Sequence, residues 1–263
     1  MRMTKLFLCS TTVLALAIPV FSQTQTTTPP AAKPKSTTST TAKPAASTYD
    51  RALLKPALLK DVAPATYQVK FVTTRGDFSV TVHRDWSPIG ADRFYNLVKH
   101  HYYDGARIYR VIPNFVAQFG INANPPVNAA WAKATIKDDP LVQKNYRGTL
   151  TFAKTANPNS RTTEIFINLK DNFGLDSQGF TPFAVIDEKG INIVEMFYDQ
   201  YPDPAGAGEQ PNMEKGGEKY IATKFPKLDT ITSATIVGLP AAKPAAKPAA
   251  KPAAKPTTTA PKQ

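Results

Sequence analysis

The chain has 263 residues, with 32 Lys+Arg against 20 Asp+Glu, 24 prolines and one cysteine, and a formal charge of +12. That length supports a sizeable core, so a disulfide-stapled mini-domain is excluded, and at 42% hydrophobic and 10% aromatic the chain is too apolar to be disordered throughout. One cysteine forbids an intramolecular disulfide or a cysteine-based zinc cluster, and three histidines are poor material for a metal site, so neither metal nor cofactor is expected.

Residues 1–22 carry Arg2 and Lys5, then an apolar stretch over 6–20, then Phe21 and Ser22. This order predicts a secretory signal peptide cleaved near Ser22. The stretch is shorter than the ~20 apolar residues of a membrane span, so no stable span is expected after cleavage. Cys9 lies inside it, which leaves the mature chain without cysteine.

Residues 23–64 read as a linker: up to Ser47 they are Thr, Ser, Ala, Pro, Gln and Lys with no aromatic, and nothing there repays the entropy of ordering. Leu53, Leu54, Leu58 and Leu59 form an apolar patch, a docking turn or an amphipathic half-helix stopped by Pro56, packed on the domain that follows.

Residues 65–239 form that domain. They hold 19 basic and 18 acidic residues, so 13 of the 32 basic residues lie outside it. Nucleic-acid binding thereby loses its support, since a reader of phosphates carries its basic patch on the folded surface. Period-two alternation over 67–72 and 78–83, around Thr74-Arg75-Gly76-Asp77, predicts a β-hairpin. Ser87-Pro88 opens a helix carrying Phe94, Leu97 and Val98. Further strands are predicted over 107–112, 115–119, 148–152, 164–168, 180–186 and 231–237. A second helix carries Ile191, Val194 and Phe197, and 201–222 reads as a long surface loop. About eight strands and two helices predict a mainly β fold, a closed eight-stranded antiparallel barrel capped by two α-helices, with disordered tails.

In the 240–263 tail, AAKP occurs four times in succession, which favours an extended polyproline-like chain. Its lysines suit either contact with an anionic envelope surface or a soluble spacer.

The chain has no GxSxG, HExxH or phosphate-binding glycine loop, and His83, His100 and His101 lack motif partners, so they are expected at the surface. The unusual stretch is IYRVIPNFVAQFG (108–120), where Arg110 sits among apolar residues with Phe115 and Gln118 following at fixed spacing. A groove-facing Arg110 needs a partner, and Glu164 is one candidate.

Here the sequence resembles the cyclophilin-type peptidyl-prolyl cis-trans isomerases. The likeness is carried by YYDGARIYRVIPNFVAQFG (102–120), GTLTFAKTANPNSRTTEIFIN (148–168) and LDSQGFTPFAVI (175–186), in register over nearly all of the domain. The resemblance implies an eight-stranded barrel with a substrate groove on its outer wall. It implies Arg110 as the catalytic arginine, Gln118 as the groove glutamine, and Phe115, Val116, Ala153 and Phe166 around the proline ring. Glu164 falls where the family often has glutamine. Four features depart from the common pattern: Val116 replaces methionine, Phe119 and Ile121 replace Gly and Asp, Phe173 or Gly174 occupies the tryptophan position, and Phe180 stands where many members have histidine.

The expected activity is Arg-assisted rotation of X-Pro bonds in unfolded or exported polypeptides by a monomer in the periplasm or outside the cell. An alternative is a cyclophilin-like module that binds proline-containing segments with little turnover. A third reading makes the Lys/Pro tails the functional part of an envelope-attached structural protein.

Overall fold

The alternation along the first hairpin starts the sheet. Strands β1 (Thr66–Thr73) and β2 (Gly76–His83) pair antiparallel, and Tyr67, Val69 and Phe71 of β1 meet Phe78, Val80 and Val82 of β2 on the buried face. These observations come from a computed structural model, which describes residues 49–201, 203 and 208–238. The predicted signal peptide, the 23–48 part of the linker and the tail from 239 onward lie outside the described residues.

Helix α1 (Pro88–Lys99) follows, with Pro88 in its first turn and Phe94, Leu97 and Val98 on its buried face. Ser87 does not cap it with its own side chain. Asp139 does so from 50 residues away, accepting the backbone N–H groups of Ile89 (3.0 Å) and Gly90 (2.9 Å) and the Ser87 hydroxyl (2.6 Å). The fully buried Arg161 donates to the same carboxylate at 2.9 Å, so this buried acid is both hydrogen-bonded and paired.

The remaining elements are β3 (Arg110–Ile112), β4 (Val116–Phe119), α2 (Pro125–Trp131), β5 (Thr149–Phe152), β6 (Ile165–Asn168), β7 (Pro182–Ile186), α3 (Glu188–Val194), α4 (Gln210–Lys224) and β8 (Ile231–Ile236). The strands form one antiparallel sheet in the order β3-β4-β6-β5-β7-β2-β1-β8. Its apolar face holds the main core, in which Phe71 lies 5.0 Å from Phe78 and 5.8 Å from Phe119, ring centre to ring centre, and Phe94 and Phe152 close on Phe183.

Three expectations are corrected. The sheet is curled but not a closed barrel: among the described residues β3 pairs only with β4 and β8 only with β1, and the segments that precede them are joined around Arg107 and Thr230 by three backbone hydrogen bonds, from Gly105 and Ile108 to the Ile231 and Asp229 carbonyls and from Ile231 to the Ala106 carbonyl. Beside that seam sits a second small core of Tyr109, Ile121, Met213, Ile221 and Leu228. Among the described residues there are four α-helices rather than two. The short α2 opens on Pro125-Pro126 after Asn124, and α4 occupies most of what reads as a loop over 201–222. Helix α4 hides in the sequence because it offers little apolar periodicity and breaks at Gly217, whose φ of +55° and ψ of −150° are not helical. A Cβ there would lie 2.4 Å from the Ala123 carbonyl oxygen, so only glycine lets α4 lie this close to the lead into α2.

The 49–64 stretch, grouped above with the linker, packs on the domain. It forms two 3₁₀ turns, Arg51–Leu54 and Pro56–Leu58, and buries Leu53. The indole of Trp131 donates to the Leu53 carbonyl at 2.8 Å, and Asn96 and Asp92 of α1 accept the backbone N–H groups of Asp61 and Ala63. Leu58 stays largely exposed. One buried leucine and three bonds to fixed partners therefore anchor the segment, as its leucine patch leads one to expect.

Candidate active site

Strand register builds the site. Arg110 on β3 lies opposite Gln118 on β4, and Gln118 lies opposite Phe166 on β6, so the three side chains form a row across three strands. Along β4, Val116 and Gln118 turn to the groove while Ala117 and Phe119 enter the main core, as period-two geometry requires. The turn between β3 and β4 has Asn114 in the left-handed region (φ +57°) and closes with the Phe115 N–H donating to the Ile112 carbonyl at 3.0 Å. It sets Phe115 beside the groove at the β3–β4 turn.

The result is a groove of about 330 Å³. Seven of the nine predicted site residues line it: Arg110, Phe115, Val116, Gln118, Ala153, Phe166 and Phe180. Phe166 and Phe180 meet edge to face at 5.7 Å, and the Lys154 ammonium stands 5.8 Å from the Phe180 ring. Lys154 and Leu175 also line the groove, although the sequence did not single them out.

Two predicted residues sit elsewhere. Phe173 does not line the groove; it is 46% exposed and packs its ring against Tyr146 at 5.1 Å. It begins a 3₁₀ turn (Phe173–Gln178), and at three residues per turn Leu175 faces another way and takes the place by the groove. Glu164 stands behind Gln118 rather than in the groove wall. Its backbone is closely approached just past β4, where a Cβ on Gly120 (φ +128°) would fall 2.5 Å from the Glu164 Cα.

The polar groups form a chain. The Arg110 guanidinium donates from Nε (2.8 Å) and Nη2 (2.9 Å) to the two oxygens of Asp203, and from Nη1 to Gln118 Oε1 at 3.2 Å. Gln118 Nε2 donates to Glu164 at 3.1 Å, and the Tyr109 hydroxyl and the Gln210 amide donate to the same carboxylate. Asp203, not Glu164, is thus the direct partner of Arg110. Burial raises the Glu164 pKa and the nearby Glu214 adds to the rise, against the pull of its three hydrogen bonds. Tyr109, fully buried against that carboxylate, is raised well above the ordinary tyrosine range. Asp203, Gln210 and Tyr109 were missed as site residues; a polar segment without periodicity gives no sign of where its side chains will reach.

The histidines are half-buried rather than exposed and lie outside the groove: His83 stacks on Trp86 at 4.2 Å, and Nδ1 of His100 and of His101 sits 2.7 and 3.1 Å from Asp50 and Asp104. No group of three or more His, Cys, Asp or Glu among the described residues is placed to hold a metal, and no helix among them is long and apolar enough to cross a membrane. What the groove offers is a multi-donor cation beside an apolar, aromatic-lined hollow.

Comparison with known proteins agrees with that chemistry. The family model described as cyclophilin type peptidyl-prolyl cis-trans isomerase/CLD matches residues 68–215. The chain is similar to a peptidyl-prolyl cis-trans isomerase of Acinetobacter baylyi, 30% identical over 180 residues, covering 66% of this chain and 93% of the relative. It is also similar to peptidyl-prolyl cis-trans isomerase B of Escherichia coli, 33% identical over 135 residues, with 48% and 81% covered. Its fold is like that of the cyclophilin AquaCyp293 from Hirschia baltica, with a TM-score of 0.50 at 15% identity over 70% of this chain and 78% of that one. With a match to the family model over more than half its length, and an arginine, glutamine and phenylalanine row at the places the motifs require, the chain belongs to the cyclophilin-type peptidyl-prolyl cis-trans isomerases.

Proposed function

We propose that this isomerase acts on exported, incompletely folded polypeptides and turns their X-Pro bonds by hydrogen bonding from Arg110, without a covalent intermediate. Rotation about an X-Pro amide meets a barrier of about 20 kcal/mol because the C–N bond has partial double-bond character. As the bond twists, the proline nitrogen regains its lone pair and becomes an acceptor. A donor placed there stabilises the twisted state more than either planar state, which lowers the barrier.

The observation that carries this reading is that Arg110 lines the groove and spends only part of its donor capacity on the protein. Asp203 and Gln118 engage three of its N–H groups, which leaves two donors of the planar fork for a substrate amide in the groove. The proline ring then packs against Phe115, Val116, Ala153, Phe166 and Phe180, and Gln118 holds the substrate backbone. The test is Arg110→Ala, with exchange between cis and trans forms of a short X-Pro peptide measured by NMR. Loss of about 100-fold in kcat/KM is expected, while a rate equal to that of the unmutated protein would remove Arg110 from the mechanism.

Export rests on the order of Arg2, Lys5, the apolar 6–20 stretch and Ser22. On this reading the protein works in the periplasm or outside the cell. An N-terminus beginning just after Ser22 is expected in protein recovered from there, and an intact Met1 would contradict it.

A further inference from the structure

Glu164 is bound to the site without lining the groove. Gln118 is the link: its carbonyl oxygen accepts from Arg110 Nη1 at 3.2 Å and its amide donates to Glu164 at 3.1 Å. A primary amide is an asymmetric bridge. Reversed, its NH₂ would confront the guanidinium N–H, donor against donor, and Arg110 would lose its contact with Gln118. Something must hold the amide in one sense, and an ionised carboxylate, which accepts and never donates, does this from behind.

We propose that Glu164 is a positioning residue of the isomerase, an acceptor-only group that fixes the sense of the Gln118 amide and thereby the orientation of the Arg110 guanidinium. The inference rests on the reading of Arg110 given above. Three donors from three parts of the chain converge on this carboxylate: Tyr109 just before β3, Gln118 on β4 and Gln210 at the start of α4. Once protonated, Glu164 can donate to the Gln118 carbonyl oxygen, and the reversed amide becomes available. The other ionisable groups around it are Glu214 from α4, Tyr102 and Tyr103 from the turn after α1, and Arg110 from β3. Burial, with Glu214 adding to it, raises the Glu164 pKa.

The pH profile of kcat/KM distinguishes a positioning role from a merely structural one. We would measure it by NMR exchange with the full chain and an X-Pro peptide lacking ionisable side chains, from about pH 8 down to about pH 4.5. The unmutated protein is expected to lose about tenfold through one ionisation, and the Gln118 side-chain amide resonances should titrate with the same midpoint. In Glu164→Gln, whose amide does not titrate, that step is absent. In Tyr109→Phe, which removes a donor favouring the carboxylate, the midpoint moves to higher pH. Superimposable profiles for the unmutated protein and Glu164→Gln overturn the proposal, and so does an unmoved midpoint in Tyr109→Phe, which also serves if Glu164→Gln does not fold. Full activity in Arg110→Ala would instead defeat the mechanism itself, so the two failures are distinguishable.

Discussion

At the β1–β2–β7–β8 end of the sheet, order comes from apolar packing: Phe71, Phe78 and Phe183 pack with Phe94 of α1, and a long two-strand hairpin brings Phe71 and Phe78 together locally. At the β3–β4–β6 end the strands are three or four residues long, and polar side chains impose order from far along the chain. Gln118 reaches Glu164 across 46 positions and Arg110 reaches Asp203 across 93. The first end supplies burial energy, which does not depend on direction. The second supplies direction, because a guanidinium, an amide and a carboxylate satisfy one another in few arrangements. Stability and catalysis should therefore respond separately to changes at the two ends.

The largest expected effect on stability is at the apolar end. Phe71→Ala removes a fully buried ring in contact with three others and should cost about 3–5 kcal/mol, measured by urea unfolding. Isomerase activity per folded molecule should be unchanged; a matching loss of activity would show that the two ends are coupled.

A smaller effect is expected where α4 docks. Gly217→Ala places a Cβ against the Ala123 carbonyl in a conformation nearly reserved for glycine, at a cost of about 1–3 kcal/mol. Faster amide hydrogen exchange in α4 should accompany a fall in kcat/KM, because Gln210 is carried on that helix. Loss of protection without loss of rate would detach α4 from the site. The smallest effect is expected at the rim: Phe173→Ala should change stability by less than about 0.5 kcal/mol, and leave kcat/KM within about twofold. A large rate loss there would return Phe173 to the substrate contact that the family pattern implies.

The same division governs what could be read in advance. The hairpin, α1 and most strands were legible because alternation and helical spacing record which side chains face the core, and the seven groove residues were legible through the motifs that carry them. Ile121 and Phe119 looked like departures from the family pattern. Their reason is tertiary: Phe119 packs on Phe71 and Tyr103, while Ile121 joins Met213, Ile221 and Leu228 in a second core formed with α4. Glu164 and Phe173 lie outside the groove lining because motif spacing locates a backbone position and says little about which way a side chain on a tight turn or a strand end will point.

By itself the sequence determined a cyclophilin-type isomerase domain, most of its strands in chain order, and an arginine that lines its groove, since local periodicity and motif spacing are properties of neighbouring residues. Only the tertiary structure decided that the sheet stays open at the β3–β8 seam, that α4 forms in a glycine- and proline-rich stretch, and that Arg110 answers to Asp203 and, through Gln118, to Glu164. Those outcomes depend on contacts between residues tens of positions apart, whose energies exist only after the chain has brought them together.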